Sequence, residues 1–185
     1  MNMKILDIAF TCIVIVIVVS LAFQTNQYIE FNRLIQELEV NPVCIEPSIY
    51  GERVNVTVQI MIPNPSRYSA ITTDRAELWL YYWGETHPEV LPWGPYVGQP
   101  YQKINTSWWY LAAEAQTYGN MPLAPESCLN LTLLFRVEQD RARKFLEQYQ
   151  KNEPLKWWIR GVIVFNVNAY IDTLRLQVDS YYPYY

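Results

Sequence analysis

The chain is predicted to be mainly β: an antiparallel β-sandwich with one short helix, preceded by a long amino-terminal transmembrane-plus-stalk helix. Three features predict this class. An uncharged apolar run, AFTCIVIVIVVSLAF, lies near the amino terminus, and from residue 41 short segments alternate apolar and polar residues. Proline, glycine and asparagine separate these segments. Period-two alternation indicates strands with one buried face, and many short strands between turns favour an antiparallel sandwich.

The amino-terminal apolar run has the length of a membrane-spanning helix. Residues 5–23 carry no charge except Asp7, and a helix of this length reaches ~28 Å, close to the ~30 Å hydrocarbon thickness of a bilayer. A signal peptide would need a basic start and a small-residue cleavage site, but only Lys4 precedes the run and AFQTNQ is a poor site. A buried core helix is the other alternative. Because the run is rich in Val and Ile, we expect an uncleaved anchor that contacts membrane lipid through residues 5–23.

Charges beside the run predict its orientation. Lys4 and the amino terminus precede it, whereas the first basic residue after it, Arg33, is accompanied by three glutamates. The positive-inside bias therefore favours a cytoplasmic amino terminus in the cell membrane and an extracytoplasmic carboxyl-terminal domain. Helical spacing of apolar residues continues to about Val40. We expect residues 1–40 to form the anchor and an amphipathic stalk, and residues 41–185 to form the domain.

The clearest strand is VNVTVQIMI, residues 54–62, in which five aliphatic residues face one way. Since proline cannot donate to a β ladder, Pro63-Asn64-Pro65 is expected to end this strand. The segment QDRARKFLEQYQKN has apolar residues on one helical face and predicts the short helix. The predicted strands are 43–50, 53–62, 75–83, 106–112, 129–138, 157–170 and 172–181.

Three N-x-Ser/Thr sequons are candidate glycosylation sites, at Asn55, Asn105 and Asn130. The alternation of their strands places Asn55 and Asn130 on polar faces, as glycosylation requires. The alternative is that they are ordinary exposed strand residues.

The three cysteines divide into one within the apolar run, Cys12, and two in the domain, Cys44 and Cys128. An extracytoplasmic compartment permits a disulfide, so Cys44 and Cys128 are a candidate pair. Two free buried thiols are the alternative.

Residues 85–127 form a Pro- and aromatic-rich insertion between predicted strands. Long ordered loops are uncommon in compact domains and often functional. Because the other strands could build a sandwich without it, we predict that this insertion binds a protein partner through Trp93, Tyr96, Trp108 and Trp109. The competing interpretation is that Trp108, Trp109 and Tyr110 lie in a strand and pack internally, which we expect of at least one of them.

A strand of alternating valines, an Asn-Pro break and then AELWLYYWG resemble the late-embryogenesis-abundant group two family, which includes the WHy (water stress and hypersensitive response) domain. The resemblance covers about residues 45–180. It includes a Tyr-x-x-Gly-like turn at 81–84 and a late strand with Gly161. It implies an immunoglobulin- or fibronectin-like sandwich with one helix, no catalysis, and a role in stress protection, membrane-proximal interaction or lipid handling. The long segment 85–127 departs from the family pattern.

Chemistry-bearing motifs are scarce. With one histidine, His87, and two domain cysteines, no metal site is expected, and no phosphate loop or nucleophile elbow occurs. We therefore expect no enzyme and no cofactor. The net charge of −4 and the lack of a basic run argue against nucleic acid as a partner.

These features favour a single-pass membrane-anchored interaction domain, a structural or accessory subunit of a membrane or envelope complex. Other protein subunits are expected as partners, and a homo-oligomer or polymer is possible. Type IV pilins also join an apolar amino-terminal helix to a β-rich head, so a filament subunit is one alternative. However, no Gly-containing processing site precedes the run, and Asp7 lies before it where a pilin has a Glu within it. A glycan-binding surface module that uses exposed aromatic residues is the other alternative.

Overall fold

The computed structural model describes residues 2–84, 101–104, 107–150, 155–168, 171 and 173–182. Two antiparallel sheets, a long amino-terminal helix and one short helix make up this part of the chain, so the predicted fold class is confirmed. The helices are α1 Asn2–Glu37 and α2 Gln139–Tyr149; the strands are β1 Asn41–Tyr50, β2 Arg53–Asn64, β3 Ile71–Gly84, β4 Tyr101–Ile104, β5 Ser107–Tyr118, β6 Ser127–Val137, β7 Trp157–Val167 and β8 Thr173–Tyr182.

The two sheets have the strand orders β1-β2-β6 and β4-β5-β3-β7-β8. Alternation predicted the inward face of β2 correctly, because its five aliphatic side chains from Val54 to Ile62 are each at most 1% exposed. They join one core cluster with inward side chains of β3, β6 and β7, including Leu80, Phe135 and Phe165. Burial of an aliphatic side chain of this size contributes roughly 1.5–3 kcal/mol. The core therefore lies between the sheets.

The Pro63-Asn64-Pro65 break ends the strand as predicted, but two residues beyond the predicted bound of residue 62, because β2 continues to Asn64 and pairs with β6 to that point. Pairing between β1 and β2 stops at Met61. Beyond Met61, β2 therefore has a partner on one side only. A proline is tolerated there, since a missing N–H interrupts no ladder on the side without a neighbour.

Two bulges shift the phase of the alternation and explain why two strands were predicted too short. In β3 the pairing with β7 skips Asp74, so β3 begins at Ile71 and not at residue 75. In β5 the pairing with β3 skips Ala112. Ala112 and Ala113 consequently both face the core, at 0% and 1% exposed. An extra residue in one strand reverses which side chains point inward, so a strict period-two pattern ends although the strand continues.

Gly161 allows β3 and β7 to approach closely at the centre of the five-stranded sheet. It pairs with Leu78 and has a φ of 150°, which residues with side chains rarely adopt. A Cβ at this position would lie 2.1 Å from the carbonyl oxygen of Glu77. Only glycine fits without moving the two strands apart.

Helix α2 covers one end of the core. Phe145 is fully buried and contacts Tyr82 and Trp157, with ring centroids 5.4 Å and 5.8 Å away. Burial raises the pKa of Tyr82 well above its ordinary value of 10.0. The predicted short helix thus provides packing for the core.

Candidate interaction surfaces

The amino-terminal two thirds of α1 present an apolar surface that the rest of the protein does not cover. Large apolar side chains between Ile8 and Phe23 are 40–68% exposed. The helix is long and apolar enough to cross a membrane, and none of its most apolar window is buried. A single helix of this kind is compatible with the predicted anchor, while its orientation and the identity of the membrane stay predictions.

The last turns of α1 pack on the sandwich and do not form a free stalk, which corrects the expectation that a stalk continues to Val40. Leu34 is fully buried in the core, and Phe31 and Leu38 are 4% and 8% exposed. The helix ends at Glu37. Six residues lie between Phe23 and Glu30, whose carboxylate accepts from the Arg67 backbone N–H of the domain, so ~10 Å of helix separates the apolar run from this contact.

The segment from Asn64, the last residue of β2, to Tyr68 forms the domain side of this junction. The Asn64 amide donates to the backbone oxygens of Tyr68 and Leu123, at 2.9 Å and 3.2 Å, while its oxygen accepts from the Ser66 hydroxyl and backbone N–H. The Tyr68 ring lies 5.2 Å from that of Phe31. Asn64 is 1% exposed, and a buried amide with all these partners fixes the loop conformation.

A charged contact completes the junction. The Arg67 backbone N–H donates to the Glu30 carboxylate over 2.7 Å. The Arg67 guanidinium also lies 3.0 Å from the Glu126 carboxylate, but both side chains are largely exposed, so this ion pair contributes little. Packing of Phe31 and Leu34, which are buried against the domain, is the main contribution that holds α1 to the sandwich.

The outer face of the five-stranded sheet carries a second cluster of buried side chains, made of Tyr81, Trp109, Leu111 and Trp158, with Trp79, Trp83 and Tyr181 partly buried around it. We call this set the aromatic cluster. Outer faces of antiparallel sheets are usually polar and solvated. Here Trp109 contacts Trp158 and Tyr181 at centroid distances of 5.7 Å and 5.4 Å, so the rings cover one another.

Asp179 on β8 links this cluster to the polar part of the same face. Its carboxylate accepts from the Trp158 indole N–H at 2.6 Å, and its other oxygen lies 3.8 Å from Arg160 Nε. The Arg160 guanidinium lies 4.8 Å from the Trp158 ring centre, a cation–π distance. Burial and the charge of Asp179 raise the pKa of Tyr181, and Arg160 opposes that effect.

A groove of about 530 Å³ runs beside β8. Residues 38–41, which connect α1 to β1, line one wall, and Leu176, Gln177, Asp179, Ser180 and Tyr181 line the other. We call it the β8 groove. The Ser180 hydroxyl donates to the Val40 carbonyl over 3.3 Å, which joins the two walls.

The predicted glycosylation residues have different positions. Asn130 is exposed on β6 and Asn55 is half-buried on β2, both pointing away from the core. Asn105 lies outside the described residues. Use of the sequons stays a prediction.

The predicted disulfide between Cys44 and Cys128 is wrong, because both thiols are free. Cys44 pairs with Gln59 on one side of β2, and Cys128 pairs with Pro63 on the other. Two strand spacings and four residues of offset separate them by ~16 Å, whereas a disulfide needs Cα atoms within about 7 Å. The Cys44 thiol instead donates to Glu46, which raises the pKa of the thiol.

The predicted partner-binding residues are not shown to form one surface. Trp93 and Tyr96 lie outside the described residues, as does the side chain of Trp108. Trp109 is only 6% exposed within the aromatic cluster, so its assignment as a partner contact is wrong and the internal-packing alternative is correct for it. The interval 85–127 is also part of the sandwich, because it supplies β4 and β5, two of the strands of the five-stranded sheet.

The sequence analysis missed the aromatic cluster and the β8 groove. Alternating aromatic residues at 79, 81 and 83 were a signal that the outer face of that strand is apolar. In the part of the chain that the structure describes, no group of three or more His, Cys, Asp or Glu side chains could hold a metal ion.

Comparison with known proteins gives no family. No family model and no curated protein matches the chain. A crystal structure described as a protein from Archaeoglobus fulgidus matches with a TM-score of 0.41 at 10% identity, covering 79% of this chain and 96% of that one. Beta-glucosidase 3B from Thermotoga neapolitana, in complex with α-D-glucose, matches with a TM-score of 0.28 at 14% identity, covering 77% of this chain. This chain spans 16% of the glucosidase, and neither likeness carries a functional conclusion.

Proposed function

We propose that the chain is a single-pass membrane protein whose extracytoplasmic sandwich binds other proteins, as a structural or accessory subunit of a membrane or envelope complex. The junction between α1 and the sandwich carries this proposal. An exposed apolar helix needs lipid or apolar protein around it, since its surface would otherwise remain in water. The same helix enters the core through Leu34 without an intervening linker.

A fixed junction favours a domain that is held in one orientation relative to the membrane over a domain that moves freely on a flexible linker. A flexible linker would let the sandwich sample many orientations, which suits capture of diffusing ligands. Here ~10 Å of helix separates the apolar run from the contact of Glu30 with Arg67, so the sandwich stays close to the membrane surface. Its surfaces therefore face neighbouring membrane proteins at a defined height.

Loosening the junction tests this proposal. Phe31→Ala removes a ring that is 4% exposed against Tyr68, whereas Ile29→Ala trims a residue of the same helix that is 58% exposed. After chemical crosslinking in intact membranes, we expect the full-length protein to co-purify in mild detergent with defined partner chains. Phe31→Ala should reduce their recovery at least about threefold, since it costs roughly 3–5 kcal/mol of packing, and Ile29→Ala should not. Recovery of the wild-type chain alone would contradict the proposal.

A filament subunit is the second candidate, because the exposed helix and docked head would also suit a polymer that buries the helices in its core. Sedimentation of the detergent extract distinguishes the two. A ladder of copies of this chain alone supports the filament, and a complex with other chains supports the accessory subunit.

A further inference from the structure

Strand β8 is an edge strand without a strand neighbour on one side in the described part of the chain; residues 38–41 lie across the groove on that side, and the Val40 carbonyl accepts from the Ser180 hydroxyl. Strand β8 pairs with β7 from Thr173 to Tyr182, and no other described strand pairs with it. An edge strand presents backbone N–H and C=O groups from alternate residues to any chain that approaches. The other long edge strands, β1 and β6, belong to the opposite sheet; β1 has Pro42 and Pro47 among its ten residues, whereas β6 has no proline. Prolines blunt an edge, and β8 has none within its ten residues.

The β8 groove follows this open edge and has the volume of a binding site. At about 530 Å³ it falls within the range of ligand pockets and would accommodate a short extended segment. Leu38 and Leu176 supply apolar surface, and backbone groups of β8 supply hydrogen bonds. Extended peptides add to sheet edges through main-chain bonds, while alternate side chains enter pockets.

The charges along the groove indicate which kind of side chain would bind there. Glu39 and Asp179 are the charged side chains among the nine lining residues, and both are acidic. Glu39 accepts from the Asn41 amide at 2.9 Å. The side chain of Asp179 is 56% exposed despite its contacts with Trp158 and Arg160. A cationic side chain in the groove would be attracted by both carboxylates.

We propose that β8 binds an extended segment of a partner protein, which pairs with its open edge and places a Lys or Arg side chain between Glu39 and Asp179. The inference rests on the proposed function in taking the partner to be a protein. Binding would extend the five-stranded sheet by one strand.

The test uses the full chain in lipid nanodiscs and an eight-residue peptide with blocked ends that alternates valine and lysine. We expect this peptide to bind, and its valine–glutamate counterpart to bind at least about tenfold more weakly, because several surface charges each contribute up to ~1 kcal/mol. N-methylation of one set of alternate amides should abolish binding, and methylation of the other set should leave it, because only one side of the peptide pairs with β8. Hydrogen exchange should slow at alternate amides within residues 173–181.

Asp179→Asn keeps an acceptor for Trp158 but removes the charge, so it should weaken lysine-peptide binding about three- to fivefold. The matched control is Glu114→Gln, an exposed carboxylate on the same sheet face in β5, which should leave binding unchanged. Equal binding of both N-methylated peptides, or protection outside β8, would overturn the inference. The inference would also be overturned if the slowing of hydrogen exchange in β8 depended on self-association of the chain. If partner chains co-purify but Asp179→Asn alters neither their recovery nor peptide binding, the inference fails and the proposed function stands.

Discussion

The outer faces of the two sheets differ in how much apolar side chain they bury. On the three-stranded sheet, β2 and β6 point Asn55, Thr57, Thr132 and Arg136 away from the core, and Leu134 is the large apolar exception, 49% exposed. On the five-stranded sheet, the same outward positions hold the aromatic cluster, in which Trp158 is 1% exposed. The inner faces of both sheets follow period-two alternation except at the bulges in β3 and β5. Alternation therefore predicts what faces the core, but not whether the opposite face is solvated.

The largest expected difference between these faces is in stability. Trp158→Ala removes a buried ring that contacts Tyr81, Trp109 and Tyr181, so the free energy of unfolding should fall by about 3–5 kcal/mol. Leu134→Ala, on the exposed face of β6, should lower it by less than about 1 kcal/mol. Urea unfolding of the full chain in detergent, followed by circular dichroism, measures both. Equal losses would mean that the aromatic cluster contributes no more to stability than an exposed side chain does.

A smaller loss of stability should follow when Asp179, the hydrogen-bond acceptor of the Trp158 indole N–H, is removed. Asp179→Ala leaves a buried N–H without its 2.6 Å partner, so we expect a loss of about 1–3 kcal/mol. Glu114→Ala on the same face should change stability by no more than about 0.5 kcal/mol. The same urea experiment applies. A neutral result for Asp179→Ala would show that the indole N–H finds water instead.

The smallest stability effect is expected on the polar face. In a host that glycosylates exported proteins, Asn130 should carry a glycan, because its side chain is exposed and directed outward. Asn130→Gln should remove that mass, seen by gel shift and mass spectrometry, and change stability by no more than about 0.5 kcal/mol. An unmodified Asn130 in such a host would count against the extracytoplasmic orientation.

The sequence by itself determined the elements whose pattern is local. The apolar run predicted the exposed part of α1, and alternation predicted β2 and β6 with their inward faces, because period two depends only on neighbours along the chain. Gly161 was visible as an isolated glycine in a β segment, although the Glu77 carbonyl that makes it necessary was not. The Asn-Pro break was also visible and marked the end of β2, although the continuation of the strand through Pro63 to Asn64 was not predicted.

The tertiary structure decided everything that depends on pairing between distant residues. The bulge at Ala112 becomes visible only once β5 is paired with β3, so the end of that strand was missed. Cys44 and Cys128 are separated because β2 lies between their strands, and no spacing along the chain encodes that order. Asn64 holds the loop that contacts α1 partly through a bond to Leu123, 59 residues away. Strand register and sheet order are set by the summed burial of many side chains, so a local pattern can predict a strand but not its neighbour.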